Sequence, residues 1–322
     1  MARLLTTSLA EMIYVSLHSH STFSYGDGFG PVAYHVDRVA DLGMKALALT
    51  EHGNTSSWVQ LEKHCRRMEI KAIFGLEAYI APANSPSKCH MILLAADQEG
   101  LRNLNSIVTE SWKTLGTTSK SKFPTVHTPM LKRYNRGIIA LSGCSDGPIS
   151  CILLGGKFLG EKRMELRDKH FQQARVAIER FQAIFPGRYY LETQRFPGLP
   201  RTCVLNPTFE KLSATTGAPL AATADVHYPY PHENEMQRVL HAAHRGGTVE
   251  SADASWEYDI LLTYPESDRE IYKDLQNTGL SREASKAAIL ATAAIADQCN
   301  VELPKAPPPK YVAGTRDWEH WT

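Results

Sequence analysis

The stretch MIYVSLHSHSTFSYGDG (residues 12–28) opens as an apolar, β-branched run and closes in residue types that bind metal ions. The first half reads as a strand. His18 and His20 follow it at i, i+2, a spacing that in extended chain points both side chains to one face. The same juxtaposition recurs downstream. KALALTEHGN (45–54) places Glu51 and His52 behind a short apolar run, and KAIFGLEAYI (71–80) carries Glu77 late in its run. His90 opens HMILLAA (90–96), Cys144 follows GIIALS (137–142), and Asp225 and His227 follow PLAAT (219–223).

Seven strands are expected at Met12–Leu17, Ala46–Thr50, Lys71–Ile80, Met91–Ala95, Gly137–Ser142, Arg188–Glu192 and Pro219–Thr223. Helical spacing of apolar residues predicts helices at Pro31–Leu42, Ser57–Met68, Gln98–Trp112, Thr128–Tyr134, Lys169–Ile184 and Pro207–Thr216. Strands alternating with helices imply an α/β fold with a parallel sheet, closed as a barrel or open and doubly wound. In a parallel barrel nearly all the ligand-type residues would reach one rim, where the active sites of such barrels are built. After Tyr228 the pattern changes to helices, around Glu233–His244 and Arg282–Cys299, and then to a proline-rich tail. The expected organisation is a barrel over 12–235, a helical C-terminal appendage over 236–303 and a tail over 304–322.

Composition bounds the function. The 322 residues include 43% hydrophobic and 21% charged residues, enough for one large core. Lysine plus arginine (35) nearly balance aspartate plus glutamate (34), so no long-range positive field gathers nucleic acid. Any nucleic-acid contact must be local. The six cysteines lack a CxxC pair, which argues against a disulfide framework and a zinc ribbon and for a reducing cytoplasm. No signal peptide or membrane span is evident, so no membrane partner is expected.

Imidazole and thiolate suit zinc, while carboxylates can bridge two ions at roughly 3.5–4 Å. The mixed donor set fits zinc, manganese or iron. Such clusters activate water near neutral pH and clamp a phosphate in line, so phosphate ester hydrolysis is the chemistry expected.

Together LHSHSTFSYGDG (17–28), LGMKALALTEHGN (42–54), GLEAYIAP (75–82), HMILLAADQEGLRNLNSIVTESW (90–112), IIALSGCSDGPI (138–149), YYLE (189–192) and PLAATADVHYPYPHE (219–233) resemble one family. It is the PHP (polymerase and histidinol phosphatase) domain, as found at the N-terminus of bacterial DNA polymerase III alpha subunits. The resemblance runs from about Val15 to about Pro304. It implies a distorted seven-stranded (β/α) barrel with two or three divalent ions (Zn, Mn or Fe) at one rim. Carried over by position, it implies one ion on His18, His20, Glu77 and Asp225, a second on Glu77, His90 and Cys144, and a third on Asp27, His52 and His227. Glu77 would bridge the first two, and catalysis would rest chiefly on Glu77 and Asp225. Polymerase members usually read Thr-Asp-His-Gly where this chain reads Thr50-Glu51-His52-Gly53, a departure that touches only the support of the ligands.

The resemblance implies a metal-dependent phosphoric ester hydrolase, foremost a 3′-5′ DNA exonuclease of the proofreading type in DNA replication. Its partners would be a DNA 3′ end and a replicative polymerase subunit in trans, since alpha subunits continue into palm, fingers and thumb. Two other readings are a histidinol-phosphatase-type phosphomonoesterase and a non-catalytic docking module for a polymerase. Other candidate residues read as structural. His241 and His244 are expected on an exposed helix face, and His35, His64 and His170 as solvated. Cys89 should point away from His90, and Lys113, Lys120 and Lys122 read as a mobile loop whose functional reading is a phosphate contact.

Overall fold

A computed structural model describes residues 12–81, 88–113, 115, 123–154, 165–253 and 258–305. The strands are β1 (Ala46–Leu49), β2 (Lys71–Ile80), β3 (Cys89–Ala95), β4 (Thr125–Val126), β5 (Ile138–Leu141), β6 (Tyr189–Gln194) and β7 (Leu220–Thr223). They form one sheet in the order β1-β2-β3-β5-β6-β7, with β4 paired to β2 beside that path. Residues 15–20, with a bend at His18, join its two edges. Ser16 bridges Leu47 next to one edge and Ser19 bridges Val226 next to the other. Backbone hydrogen bonds from Ala48 N to Ser16 O (2.9 Å) and from His20 N to Val226 O (2.7 Å) hold this closure. The expected strand Met12–Leu17 is thus a bridging segment rather than a regular strand.

The sheet is mixed, which corrects the parallel expectation. β3 runs antiparallel to both β2 and β5. The connection between β2 and β3 is too short for a parallel crossover, which needs a dozen or more residues. This reversal matters for function. His90 lies at the start of its strand, yet pairs with Tyr79 near the end of β2, and so reaches the rim where the parallel strands end.

The helices are α1 (Val32–Asp41), α2 (Trp58–Arg67), α3 (Gln98–Lys113), α4 (Thr128–Arg133), α5 (Pro148–Leu154), α6 (Asp168–Ile184), α7 (Pro200–Thr216), α8 (Asn234–Arg245), α9 (Val249–Asp253), α10 (Asp268–Asn277) and α11 (Arg282–Gln298). Their buried faces follow helical spacing, as with Val32, His35, Val36 and Val39 on α1. Ser267 and Ser281 cap α10 and α11 by accepting from Glu270 N and Ala284 N. Helix α7 begins at Pro200, a full two turns before the expected start at Pro207, which sits inside it. His35 and His170 are buried rather than solvated, because each occupies the core-facing position of its helix. Most of the loop carrying Lys120 and Lys122, and the tail beyond Lys305, lie outside the described residues.

Two cores result. The larger lies between sheet and helices and includes Ile271, Leu275, Ala288 and Ile289 from α10 and α11. The smaller fills the barrel with Val15, Leu17, Ala48, Ile73, Ile92, Leu94, Ile139, Leu141, Tyr190 and Ala221, stoppered by Ile295, Ala296 and Cys299. Along each strand every second residue faces this interior. Continuing those columns toward one rim turns them polar: Ile73 leads to Glu77, Ile92 to His90, Tyr190 to Glu192, Ala221 to Thr223 and Asp225, and Ala48 to His52.

Candidate metal centre

The nine residues expected as ligands gather at that rim. Three groups of donor atoms converge: His18, His20 and Asp225; Glu77, His90 and Cys144; and His20, His52 and His227. Asp27 joins the last, its Oδ2 lying 2.9 Å from His52 Nε2 and 3.3 Å from His227 Nε2. The grouping departs from expectation in two respects: His20 faces both the first and the third group, and Glu77 converges with His90 and Cys144 but not with the full His18, His20 and Asp225 set.

Glu77 is the hub. It is 1% exposed, and its two oxygens lie 3.5 Å from His18 Nε2, 3.4 Å from His20 Nε2, 2.7 Å from His52 Nδ1 and 3.1 Å from His90 Nδ1. Neither oxygen forms a hydrogen bond among the described residues. Burial would raise the Glu77 pKa, but the charges on His90, His18 and His52 hold it well below the usual carboxylate range.

The histidines are braced from behind. His18 Nδ1 donates to Glu192 Oε1 (2.7 Å), His20 Nδ1 to Ser24 Oγ (2.9 Å) and His227 Nδ1 to the Asp225 carbonyl (2.8 Å). Each bond places a proton on Nδ1 and turns Nε2 toward the cluster, the orientation metal-binding imidazoles adopt. Ser24 in turn donates to Glu51 Oε2, and Ser21 Oγ to Glu51 Oε1, both at 2.6 Å. Glu51 therefore supports the site without entering it, and burial raises its pKa. Asp225 sits at φ 44°, in the left-handed region, with Oδ2 accepting from Gln194 Nε2 (2.9 Å) and Oδ1 turned 3.1 Å from His18 Nε2.

A cation fits this donor set on two observations of charge. Burial works to lower the basicity of His52, yet Glu77 and Asp27 push its pKa up to about 10. His18 is likewise raised against burial by Asp225, Glu192 and Glu77. Protons are held where a positive ion would satisfy the same carboxylates. Cys144 Sγ, 3.8 Å from His90 Nδ1, has its pKa raised by burial and by Asp225, Glu77 and Asp146, so its thiolate also calls for a cation.

Sequence reasoning missed several supports, Ser24 and Gln194 among them. Glu192 was visible only as the residue in phase with Tyr190 on β6. His241, expected on an exposed face, is 3% exposed and touches Asp27 Oδ1 at 2.6 Å. Gln237, one turn earlier on α8, reaches the same oxygen at 3.3 Å. The relevant helical spacing was Gln237/His241 at i, i+4, not His241/His244; His244 is exposed as expected. Cys89 is buried and near Cys151, not a member of the converging groups.

Among the described residues no helix is long and apolar enough to cross a membrane. The DNA polymerase III subunit alpha of Helicobacter pylori is 26% identical over 298 residues, covering 90% of this chain and 23% of that protein. An error-prone DNA polymerase of Symbiobacterium thermophilum is 32% identical over 233 residues, 67% of this chain and 19% of that protein. The chain thus spans about a quarter or less of the length of these curated relatives. A solved Bifidobacterium adolescentis structure described as a metal-dependent phosphoesterase aligns with TM-score 0.41 at 13% identity, covering 66% of this chain and 87% of the other. The PHP domain model matches residues 16–196, more than half of the sequence and most of the rim just described, and the chain belongs to the PHP domain family.

Proposed function

We propose that this chain is a metal-dependent phosphoesterase whose substrate is the 3′ end of DNA, a 3′-5′ exonuclease of the proofreading type. The observation that carries the reading is the convergence of four imidazoles on the two buried oxygens of Glu77. In this reading His18, His20, Glu77 and Asp225 hold one ion, Glu77, His90 and Cys144 a second, and Asp27, His52 and His227 a third, of zinc, manganese or iron. Residues 12–235 form the metal-bearing barrel, 236–303 the helical appendage and 304–322 the tail. Similarity to replicative polymerase subunits supports DNA as the substrate and a polymerase as the partner.

Bound ions would supply a Lewis acid and make water a competent nucleophile near neutral pH. The protein's own part is to place and charge them. Glu192, Ser24 and the Asp225 carbonyl keep the Nε2 lone pairs of His18, His20 and His227 directed inward. Against the three carboxylates and one thiolate of the ligand set, two divalent ions balance the charge and a third leaves it positive, which suits a phosphodiester and supplies locally the attraction that a net charge of +1 cannot. The left-handed backbone at Asp225 fixes its oxygen toward His18.

The test is an assay of manganese- or zinc-equilibrated protein on 3′-labelled single-stranded and primed DNA beside a generic phosphomonoester. Nucleotide release from the 3′ end is expected. Turnover of the phosphomonoester alone would transfer the site to small-molecule chemistry, and bound metal with neither activity would leave a docking module.

A further inference from the structure

Helix α8 lies outside the segment that carries the expected ligands, yet it closes over one of them. Asp27 sits in a tight turn, with Asp27 N and Gly28 N both donating to Ser24 O and with Gly26 at φ 78°. A side chain at Gly26 would strike the His244 ring at 2.5 Å, so the last turn of α8 packs directly on this loop. One turn back, His241 Nε2 lies 2.6 Å from Asp27 Oδ1 and Gln237 Nε2 lies 3.3 Å from the same atom. The Tyr258 hydroxyl, 2.7 Å from His241 Nδ1, completes the row. Tyr258 donating to Nδ1 leaves the proton on Nε2, which then donates to Asp27.

The two oxygens of Asp27 therefore have different partners: Oδ1 faces α8, and Oδ2 faces His52 and His227. A carboxylate on a short loop can rotate about its last torsion and offer either or both oxygens. Two N–H donors on one oxygen stop that rotation. Both donors are nearly fully buried, His241 at 3% and Gln237 at 1% exposed. Burial of two polar side chains at i, i+4, with both directed at one atom, is costly unless that atom must be held.

We infer that His241 and Gln237 are positioning residues for the Asp27, His52 and His227 ion, fixing Asp27 so that one oxygen alone is offered to it. The inference rests on the metal-centre reading proposed above, and it makes the appendage part of the site. Removing such a support characteristically weakens metal binding by about 10- to 100-fold. The loss should fall on one ion of the set, because Asp27, the ligand both donors reach, belongs to the third group alone.

The experiment is equilibrium dialysis of the full chain against buffered Mn²⁺, with bound metal counted by elemental analysis. His241→Phe is expected to weaken one ion of the set by about 10- to 100-fold and leave the rest unchanged. His241→Gln, whose amide nitrogen falls near the position of Nε2, should recover most of the loss, a rescue that a mere packing role would not give. A His241→Phe isotherm superimposable on that of the wild type, which itself binds Mn²⁺, overturns the inference and leaves the metal centre standing. Wild-type protein that binds no Mn²⁺ overturns the metal centre itself. Should circular dichroism show that His241→Phe disturbs the fold, Gln237→Leu carries the same test, with a smaller loss at one ion expected and an unchanged isotherm overturning it.

Discussion

His18 Nδ1 and Glu192 Oε1 lie 2.7 Å apart, both side chains fully buried, and the same Glu192 oxygen accepts from Thr223 Oγ1 at 2.7 Å. This pair decides which His18 nitrogen carries the proton. Glu192→Leu removes the acceptor and strands a buried N–H, at a cost of about 1–3 kcal/mol in stability. It also frees the imidazole to turn, and metal affinity should fall about 10- to 100-fold. Urea unfolding in chelator and a competition titration against a metallochromic chelator check the two losses separately.

Glu77→Gln tests the hub. The amide keeps the volume of the carboxylate but presents N–H groups to the nitrogens of His18, His20, His52 or His90 and removes the charge that draws cations together. Phosphoester turnover should be lost, and the melting temperature in chelator should fall as well, because the ionised carboxylate holds the protons on His18 and His52. Retained turnover on every phosphoester tested would sink the bridging role.

Much of this was legible because period-two burial and ligand types fell in phase. Glu77 follows Ile73 and Gly75, and Asp225 follows Ala221 and Thr223, so the inward columns could be extended to the rim from the sequence. The direction of β3 was overlooked rather than hidden, since the expected strands Lys71–Ile80 and Met91–Ala95 already leave a connection shorter than a parallel crossover needs. What was not legible depended on contacts distant in sequence. Strand β4, two residues long, has no pattern to read. Helix α10 buries only Ile271 and Leu275, too sparse a stripe to stand out. His241 contacts a partner 214 positions away, and nothing local distinguishes its imidazole from a solvated one.

Acid should weaken the fold through His35. Its Nε2 donates to the Phe29 carbonyl (3.0 Å) and its Nδ1 accepts from Tyr264 (2.8 Å), so the neutral ring is satisfied on both sides. Burial lowers its pKa from 6.5 to about 4. Between those values the unfolded chain binds a proton that the folded chain does not, so stability rises with pH across the window and is lost as pH falls from 6.5 toward 4. The His35 contribution lost by pH 5 is about 2 kcal/mol. His35→Gln removes the titration, so the wild-type advantage over this variant, measured by urea midpoints in chelator, should shrink between pH 7 and pH 5. A constant gap would show that His35 is not held neutral.

Asp225→Asn should separate folding from metal binding. Asparagine tolerates the left-handed backbone at φ 44° about as well as aspartate does, so the turn after β7 survives. Gln194 donates to Oδ2, and the variant must answer with its carbonyl oxygen, which turns the new amide N–H₂ toward His18 Nε2 and His20 Nε2. Those lone pairs are then capped by donors and unavailable to a cation. In chelator the variant should unfold within about 1 kcal/mol of wild type, the usual scale of a substitution that keeps volume and hydrogen bonds. With metal at a hundredfold excess over its dissociation constant, wild type should gain about 2.7 kcal/mol from each ion that binds only the folded chain. The variant should gain less by about that amount and lose phosphoester hydrolysis. Equal stabilisation of both proteins by Mn²⁺ or Zn²⁺ would remove Asp225 from the ligand set, whatever the effect on activity.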